Sequence, residues 1–340
     1  MRLTIMRMKT ISFKMMIITT LVAAFIIQCS KSSAGTGPDN GGDSNGIDTQ
    51  KVVRQLVLAD QSVNRVAIAD IDAKKVVWEW LPAQSNVNAT DVKWFVNISD
   101  AKPVYNNKYI LANASAGGVA LIRIADKKTV FYAYGGNGNI HSAEVLPDGN
   151  IVIAASTGNY LMLLKTDTSA YPYSGYTKKI TVPDAHNVVW DKKRQLLWTA
   201  SKNKLYAFTY NFNCTAPDLT LKDSTTLPAS GSHDLFPLYS KDSLWLSTSS
   251  KIWVINLQNK VVSEQSALPR VKSVSSGPGE NYPTILLQSI DTDQQWYSDK
   301  VIDLNGKTVF RLSGLKAYKA RWLLPCSFSY DTNSVVRICK

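Results

Sequence analysis

Short hydrophobic strands broken by polar turns recur along this chain at a spacing of about 45 residues, and that period restricts the fold more than any other feature. Four hairpins, over residues 66–80, 119–132, 252–262 and 301–310, have two apolar arms around a lysine-bearing turn, and longer versions occupy 160–182 and 205–227. Between successive hairpins lie further strands, opening at residues 100–102, His141, His186, His233, Lys272 and Lys319. The three histidines are the only ones in the chain and are 45 and 47 residues apart. Each is followed about ten residues later by an apolar run: Ile151-Val152-Ile153, Leu196-Leu197-Trp198 or Leu244-Trp245-Leu246. A unit of that length holds four antiparallel strands, one blade of a β-propeller. No segment sustains a helical periodicity, so the chain is expected to be all-β with six blades.

The ends should close the ring. The sixth inner strand, residues 318–324, stands near the C-terminus, whereas the first hairpin and the strand Gln55-Leu56-Val57-Leu58 before it lack an inner strand. Pairing the N-terminal strands with the C-terminal inner strand completes a blade and removes the exposed edges that an open stack would offer to another chain. The tail from Cys326 onward is expected to pack on the last blade; were it to form more strand, the ring would have seven blades.

Length alone would allow two domains in 340 residues, but the repeat argues for one, over residues 51–340. Ahead of it, Arg2, Arg7, Lys9 and Lys14 precede an apolar run over 15–27 that is short for a membrane-spanning helix, and Cys29 follows. Residues 1–28 read as an export signal. Ile26-Ile27-Gln28 before Cys29 resembles a lipobox, with Gln28 in the place of the usual small residue, so Cys29 is the expected lipidation site. Residues 29–50 are Gly, Ser, Asp and Asn with almost no apolar content and read as a flexible tether. The expected location is a bacterial cell envelope, in the periplasm or on the outer surface of the outer membrane, with membrane contact through the lipid alone.

The formal charge is +12; without the four leader cations, 34 basic residues face 26 acidic ones, near +8. No basic recognition helix or zinc-knuckle spacing accompanies it, so no nucleic-acid partner is expected. Beyond Cys29 the cysteines are Cys214, Cys326 and Cys339, with no CxxC spacing, which argues against thiol redox chemistry and structural zinc. In an oxidising compartment Cys326 and Cys339 are placed to pair, leaving Cys214 free.

Inner strands run beside a propeller's axis, so residues at their openings form a ring: Lys102 or Asp100, His141, His186, His233, Lys272 and Lys319. Such a ring is polar and biased positive. Two chemistries fit. The imidazoles and ammoniums can donate hydrogen bonds to carboxylate, sulfate or phosphate; alternatively His141, His186 and His233 can ligate one divalent metal with positions left open for substrate. Neighbouring lysines repel a dication and favour the anion. Against both stands a purely structural role, in which each repeat keeps a polar residue to bond its neighbour's backbone.

Other residues carry weaker signals. Glu144 and Asp234 are close enough in sequence to the histidines to orient them or act as bases, but strand alternation turns Glu144 away from the side His141 occupies, and Arg321 meets the same objection relative to Lys319. Trp94, Trp190 and Trp322 follow the openings and are expected to pack between blades. The glycine-rich stretches at 117–118 and 135–139 lack the strand-to-helix setting of a phosphate loop, and no GxSxG is present. The four Asn-x-Ser/Thr triplets, at Asn88, Asn97, Asn113 and Asn213, are read as chance.

With its lipoprotein leader, the segments Ser99-Asp100-Ala101-Lys102, Ala116-Gly117-Gly118-Val119-Ala120-Leu121 and His141-Ser142-Ala143-Glu144-Val145-Leu146-Pro147-Asp148-Gly149-Asn150, the chain resembles an uncharacterised family of six-bladed propeller lipoproteins of Bacteroidota. The resemblance implies fold and location and transfers no activity. The His-x5-Pro-Asp-Gly-Asn stretch is also similar to a repeat of bacterial arylsulfotransferase propellers, a local likeness that does not establish function. The expected function is binding of an anionic saccharide or other small anion at the axial face by a monomer without cofactor. The alternatives are a metal-assisted lyase or hydrolase of acidic glycans, and a protein-interaction scaffold.

Overall fold

Along the middle strands, successive side chains are apolar on both faces, and each face enters a different core. Ile151, Ile153 and Ala155 pack toward one neighbouring sheet while Val152 and Ala154, between them, pack toward the other. A strand buried on both faces reads as a continuous hydrophobic run, and a blade flanked by two blades meets that condition. The computed structural model, described for residues 53–169, 172, 176–290, 295–331 and 335–336, accordingly shows six four-stranded antiparallel sheets. Six apolar clusters fill the wedges between adjacent sheets, including the one between the sixth and the first, so the sheets close into a ring. The expected signal peptide, the tether and Cys29 lie outside the described residues.

Blade 1 is built from both ends of the chain. Its inner strand Ala317–Trp322 pairs antiparallel with Gln55–Asp60, followed outward by Arg65–Asp70 and Lys75–Trp80. The inner strands of blades 2 to 6 are Ile98–Val104, Ile140–Val145, Val189–Asp191, Asp234–Pro237 and Val271–Ser275. Every hairpin expected from the sequence is the outer pair of a blade.

Serines stitch the closing blade to blade 6. Ser273 Oγ accepts the Ala320 N–H at 3.0 Å and Ser275 Oγ accepts the Trp322 N–H at 3.1 Å, so outward-facing amides of the innermost strand are satisfied although no strand lies beyond them. Ser273→Ala leaves the Ala320 amide buried without its acceptor and should cost about 1–3 kcal/mol, read as a lower midpoint in urea unfolding.

The C-terminal segment does not lie on the last blade as expected. Leu323 and Leu324 still pack on blade 1 and its neighbours, but from Cys326 the chain crosses the end of the axis away from the histidines. Tyr330 stacks on Tyr105 of blade 2 at 6.3 Å and donates its hydroxyl to Glu144 of blade 3; Lys192 of blade 4 donates to the Tyr330 carbonyl at 3.1 Å and pairs with Asp331 at 2.8 Å. Phe328 packs against the core between blades 4 and 5. This path also overturns the expected cysteine pairing: Cys326 is a free thiol and Cys214, expected to be free, is disulfide-bonded. Cys339 lies outside the described residues.

Candidate functional site

At the other end of the axis, one local device recurs at the openings of the inner strands. A residue with left-handed backbone stands two positions before the ring residue in blades 2 to 6: Asn97, Asn139, Asp184, Gly231 and Arg270, with φ between 54° and 72°. Asn and Asp tolerate that conformation and Gly adopts it freely. A β-bulge then leaves Ser99, His141, Lys272 and Tyr318 unpaired in the ladder of blades 2, 3, 6 and 1. A bulge breaks the strict alternation of a strand and re-aims the extra side chain, here toward the axis.

The ring is therefore two layers. Upper-layer residues His141, His186, His233, Lys272 and Tyr318 line a cavity of about 380 Å3, whose rim carries Gln61, Asn97, Ser115, Asn139 and Trp296. His141 and His186 stack at 4.5 Å with an interplanar angle of 16°, and His233 meets His186 edge-on at 5.4 Å. The Tyr318 hydroxyl is 3.1 Å from His141 Nδ1, His186 Nδ1 donates to the Asp184 carbonyl at 3.0 Å, and Lys272 Nζ is 3.3 Å from His233 Nε2. At the rim, Trp296 Nε1 donates to Gln61 Oε1 at 2.8 Å, and the indole remains 38% exposed.

The lower layer is a buried column of charge. Arg321 makes a two-pronged contact with Asp234 at 2.6 and 2.7 Å and reaches both Asp100 oxygens at 3.3 Å, with its guanidinium 4.0 Å from the centre of the Phe236 ring. Lys319 lies 3.3 Å from Asp100 and 3.2 Å from Asp234 and donates to the His141 carbonyl at 3.0 Å. Lys102 pairs with Glu144 at 3.2 Å and donates to the Val188 carbonyl at 2.7 Å. With Arg321 donating to the Val274 carbonyl, the column ties all six blades together, three cations against three carboxylates. Such pairs persist in low dielectric only when their hydrogen bonds are filled.

Of the residues expected at the site, the structure thus brings His141, His186, His233 and Lys272 to the cavity and places Lys319, Lys102 and Asp100 beneath it, in the column. Glu144 and Arg321 both face the axis, contrary to expectation. The bulge at His141 lets Ser142 and Glu144 face the axis as well, and Arg321, two residues from Lys319, shares its side. Asp234 belongs to the column and does not contact the histidines as a base. Trp190 and Trp322 are buried and Trp94 packs between blades, as expected. Sequence patterning did not single out Tyr318, although Tyr318-Lys319-Ala320-Arg321 aligns with Ser99-Asp100-Ala101-Lys102 and His141-Ser142-Ala143-Glu144. Trp296 and Gln61 carry no repeat signal.

Position sets the protonation chemistry. Burial, then His186 and Lys319, holds the His141 imidazolium form well below the usual range, and burial with Lys272 does the same to His233. Burial, followed by repulsion from Lys319, brings the Lys272 ammonium down to about 8. Burial alone would raise Asp100 and Asp234, but Arg321 and then Lys319 keep both below the ordinary carboxyl value. Glu144 is raised because burial outweighs Lys102. The stacked imidazoles turn ring faces toward one another rather than converging three nitrogens on a point, and among the described residues no group of three His, Cys, Asp or Glu is placed to hold a metal ion.

Comparison with known proteins gives fold and family. No curated protein matches the chain. Among solved structures, a protein of unknown function from Bacteroides caccae is similar at 16% identity and a TM-score of 0.54, covering 79% of this chain and 98% of its own. The Cps50 (Swd1) β-propeller domain of Myceliophteria thermophila has 13% identity and a TM-score of 0.47, covering 78% of this chain and 87% of its own. A functionally unknown protein of Desulfotomaculum acetoxidans DSM 771 has 12% identity and a TM-score of 0.48, covering 80% and 99%. A family model described as a family of unknown function (DUF6528) matches residues 14–338, and with nearly the whole described propeller inside that match, the chain belongs to this family.

Proposed function

We propose that the protein is a binding module that takes a small anion, foremost the acidic group of a saccharide, into the axial cavity. The observation that carries this reading is Lys272. Lys102 and Lys319 each have a carboxylate partner, whereas Lys272 has none among the described residues and lines the cavity. A half-desolvated ammonium without a counter-ion favours an incoming anion, and charged donors bind one more strongly than neutral donors do. The Tyr318–His141 pair keeps one further donor beyond the bond between them, and the exposed face of Trp296 beside Gln61, Asn97, Ser115 and Asn139 suits the mixed apolar and hydroxylated surface of a sugar ring.

The test is titration calorimetry of wild type and of a combined His141→Ala, His186→Ala, His233→Ala variant against glucuronate, galacturonate, a sulfated monosaccharide and neutral glucose. An acidic ligand should bind wild type and bind the variant at least tenfold more weakly, with glucose inert. Equal binding by both proteins would rule the cavity out. A variant that loses stability while no ligand binds wild type would favour the scaffold reading.

The envelope setting is part of the same proposal, with Cys29 as the lipidated residue. Metabolic labelling with a palmitate analogue in a bacterial host should mark wild type and leave Cys29→Ser unlabelled; equal labelling of both would remove the anchor.

A further inference from the structure

Among the described residues three lysines reach the axis, and their surroundings differ in kind. Lys102 and Lys319 are held by carboxylates and backbone carbonyls, so their donors are occupied. An ammonium fixed in that way is no nucleophile. The polar neighbour of Lys272 is instead an imidazole, His233, whose Nε2 is 3.3 Å from Nζ and whose Nδ1 has no partner among the described residues. An ammonium in contact with a neutral imidazole has a local, transient acceptor for its proton, and the cavity above it, about 380 Å3, has room for a molecule the size of a sugar.

We propose that Lys272 forms an imine with a small oxo acid, a carboxylate-bearing aldehyde or ketone, that enters the axial cavity. The proposal rests on the anion-binding reading above and adds a covalent step to it. His233 Nε2 takes a proton from the Lys272 ammonium, and the amine lone pair attacks the carbonyl carbon. The C–N bond forms as the π pair moves to oxygen, and one proton of the now cationic nitrogen passes to that oxygen to give the neutral carbinolamine. His233 then returns a proton to that hydroxyl, water leaves and the C=N bond closes. The balance is ammonium plus carbonyl to protonated imine plus water, with His233 neutral before and after, without oxidation or reduction. The Tyr318–His141 pair keeps one hydrogen-bond donor beyond the bond between them, and it faces the same space as a seat for the carboxylate. The lowering of the Lys272 ammonium to about 8 acts in the same direction, since it leaves on the order of a tenth of the side chain as free amine at neutral pH.

The experiment pairs pyruvate with lactate, an acid of similar size that lacks the carbonyl. The whole protein is incubated with each in the presence of cyanoborohydride, which reduces an imine to a stable secondary amine, and the adduct is located by peptide mass mapping. Binding of both acids is measured separately by calorimetry without reductant. The expected result is binding of both, a single predominant adduct at Lys272 with pyruvate, no adduct with lactate, none in Lys272→Arg, and at least tenfold slower trapping in His233→Gln. Binding of both acids without trapping overturns the imine and leaves the anion site intact. Trapping spread evenly over surface lysines also overturns the imine. If neither acid binds and nothing is trapped, the imine falls, and the anion reading is decided by the uronate titration above.

Discussion

Arg321→Met should destabilise the folded protein by about 3–5 kcal/mol at neutral pH, the range for removing one partner of a buried ion pair. The guanidinium is fully buried and serves two carboxylates, Asp100 and Asp234, which Lys319 alone would then have to neutralise. The pH dependence gives the prediction a sign. In wild type both carboxyls titrate below their unfolded value of about 3.9, so their contribution is present above that pH and is lost as pH falls through the folded values. In the variant Lys319 alone offsets the burial of two carboxylates, so the folded values rise, and protonation relieves the misplaced charge. The deficit should therefore be largest at neutral pH and narrow on acidification. Urea unfolding at several pH values measures it, and adding Asp234→Asn should recover part of the loss. An unchanged midpoint would show that the column contributes no net stability.

Lys272→Met should move function and stability in opposite directions. Loss of a charged hydrogen bond of about 1.5–3 kcal/mol corresponds to anion affinity weaker on the order of 10- to 100-fold. In wild type the affinity should hold up to about pH 8 and fall above it, as the Lys272 ammonium deprotonates. Stability runs the other way. The folded ammonium loses its proton near pH 8, while the unfolded one keeps it to about 10.4, so between those values the unfolded state binds more protons and wild-type stability rises with pH. Methionine removes that penalty and should stabilise the protein at neutral pH by up to about 3 kcal/mol, with no rise across that window. Calorimetry and thermal unfolding over pH 6–10 check both halves. A variant that binds anions like wild type, or that melts lower at neutral pH, contradicts the assignment of Lys272 as an unpartnered cation.

Much of this organisation is legible in residues that act locally. The hairpin at 301–310, with Asn305-Gly306 between two apolar arms, dictates its own pairing, and the doubly apolar run Ile151-Val152-Ile153 requires a sheet on either side. The histidines at equal spacing place themselves at one level of the ring. The lysines did not follow the same logic, because Lys272 stands at the bulge and Lys319 one residue past it, a difference of one position that separates a cavity wall from a buried ion pair. Aligning Tyr318-Lys319-Ala320-Arg321 with the other openings carries that signal, whereas reading each lysine singly hides it. Glu144 was set aside on strict alternation, which a bulge suspends.

The sequence by itself determines the repeat, the all-β class and the closure of the ring by both chain ends, because turn chemistry and the period of apolar residues act over a few positions, whereas the count of six rather than seven blades is decided by the path of the tail. Tertiary structure alone decides which polar side chain of each opening meets solvent and which is sealed inside. That choice depends on ladder register against a neighbouring strand and on charges that meet only when the ring closes, as Arg321 does with Asp100 across 221 residues of chain. The same long-range geometry leaves Lys102 and Lys319 paired and Lys272 open to the cavity, and it is on that difference that the proposed binding rests.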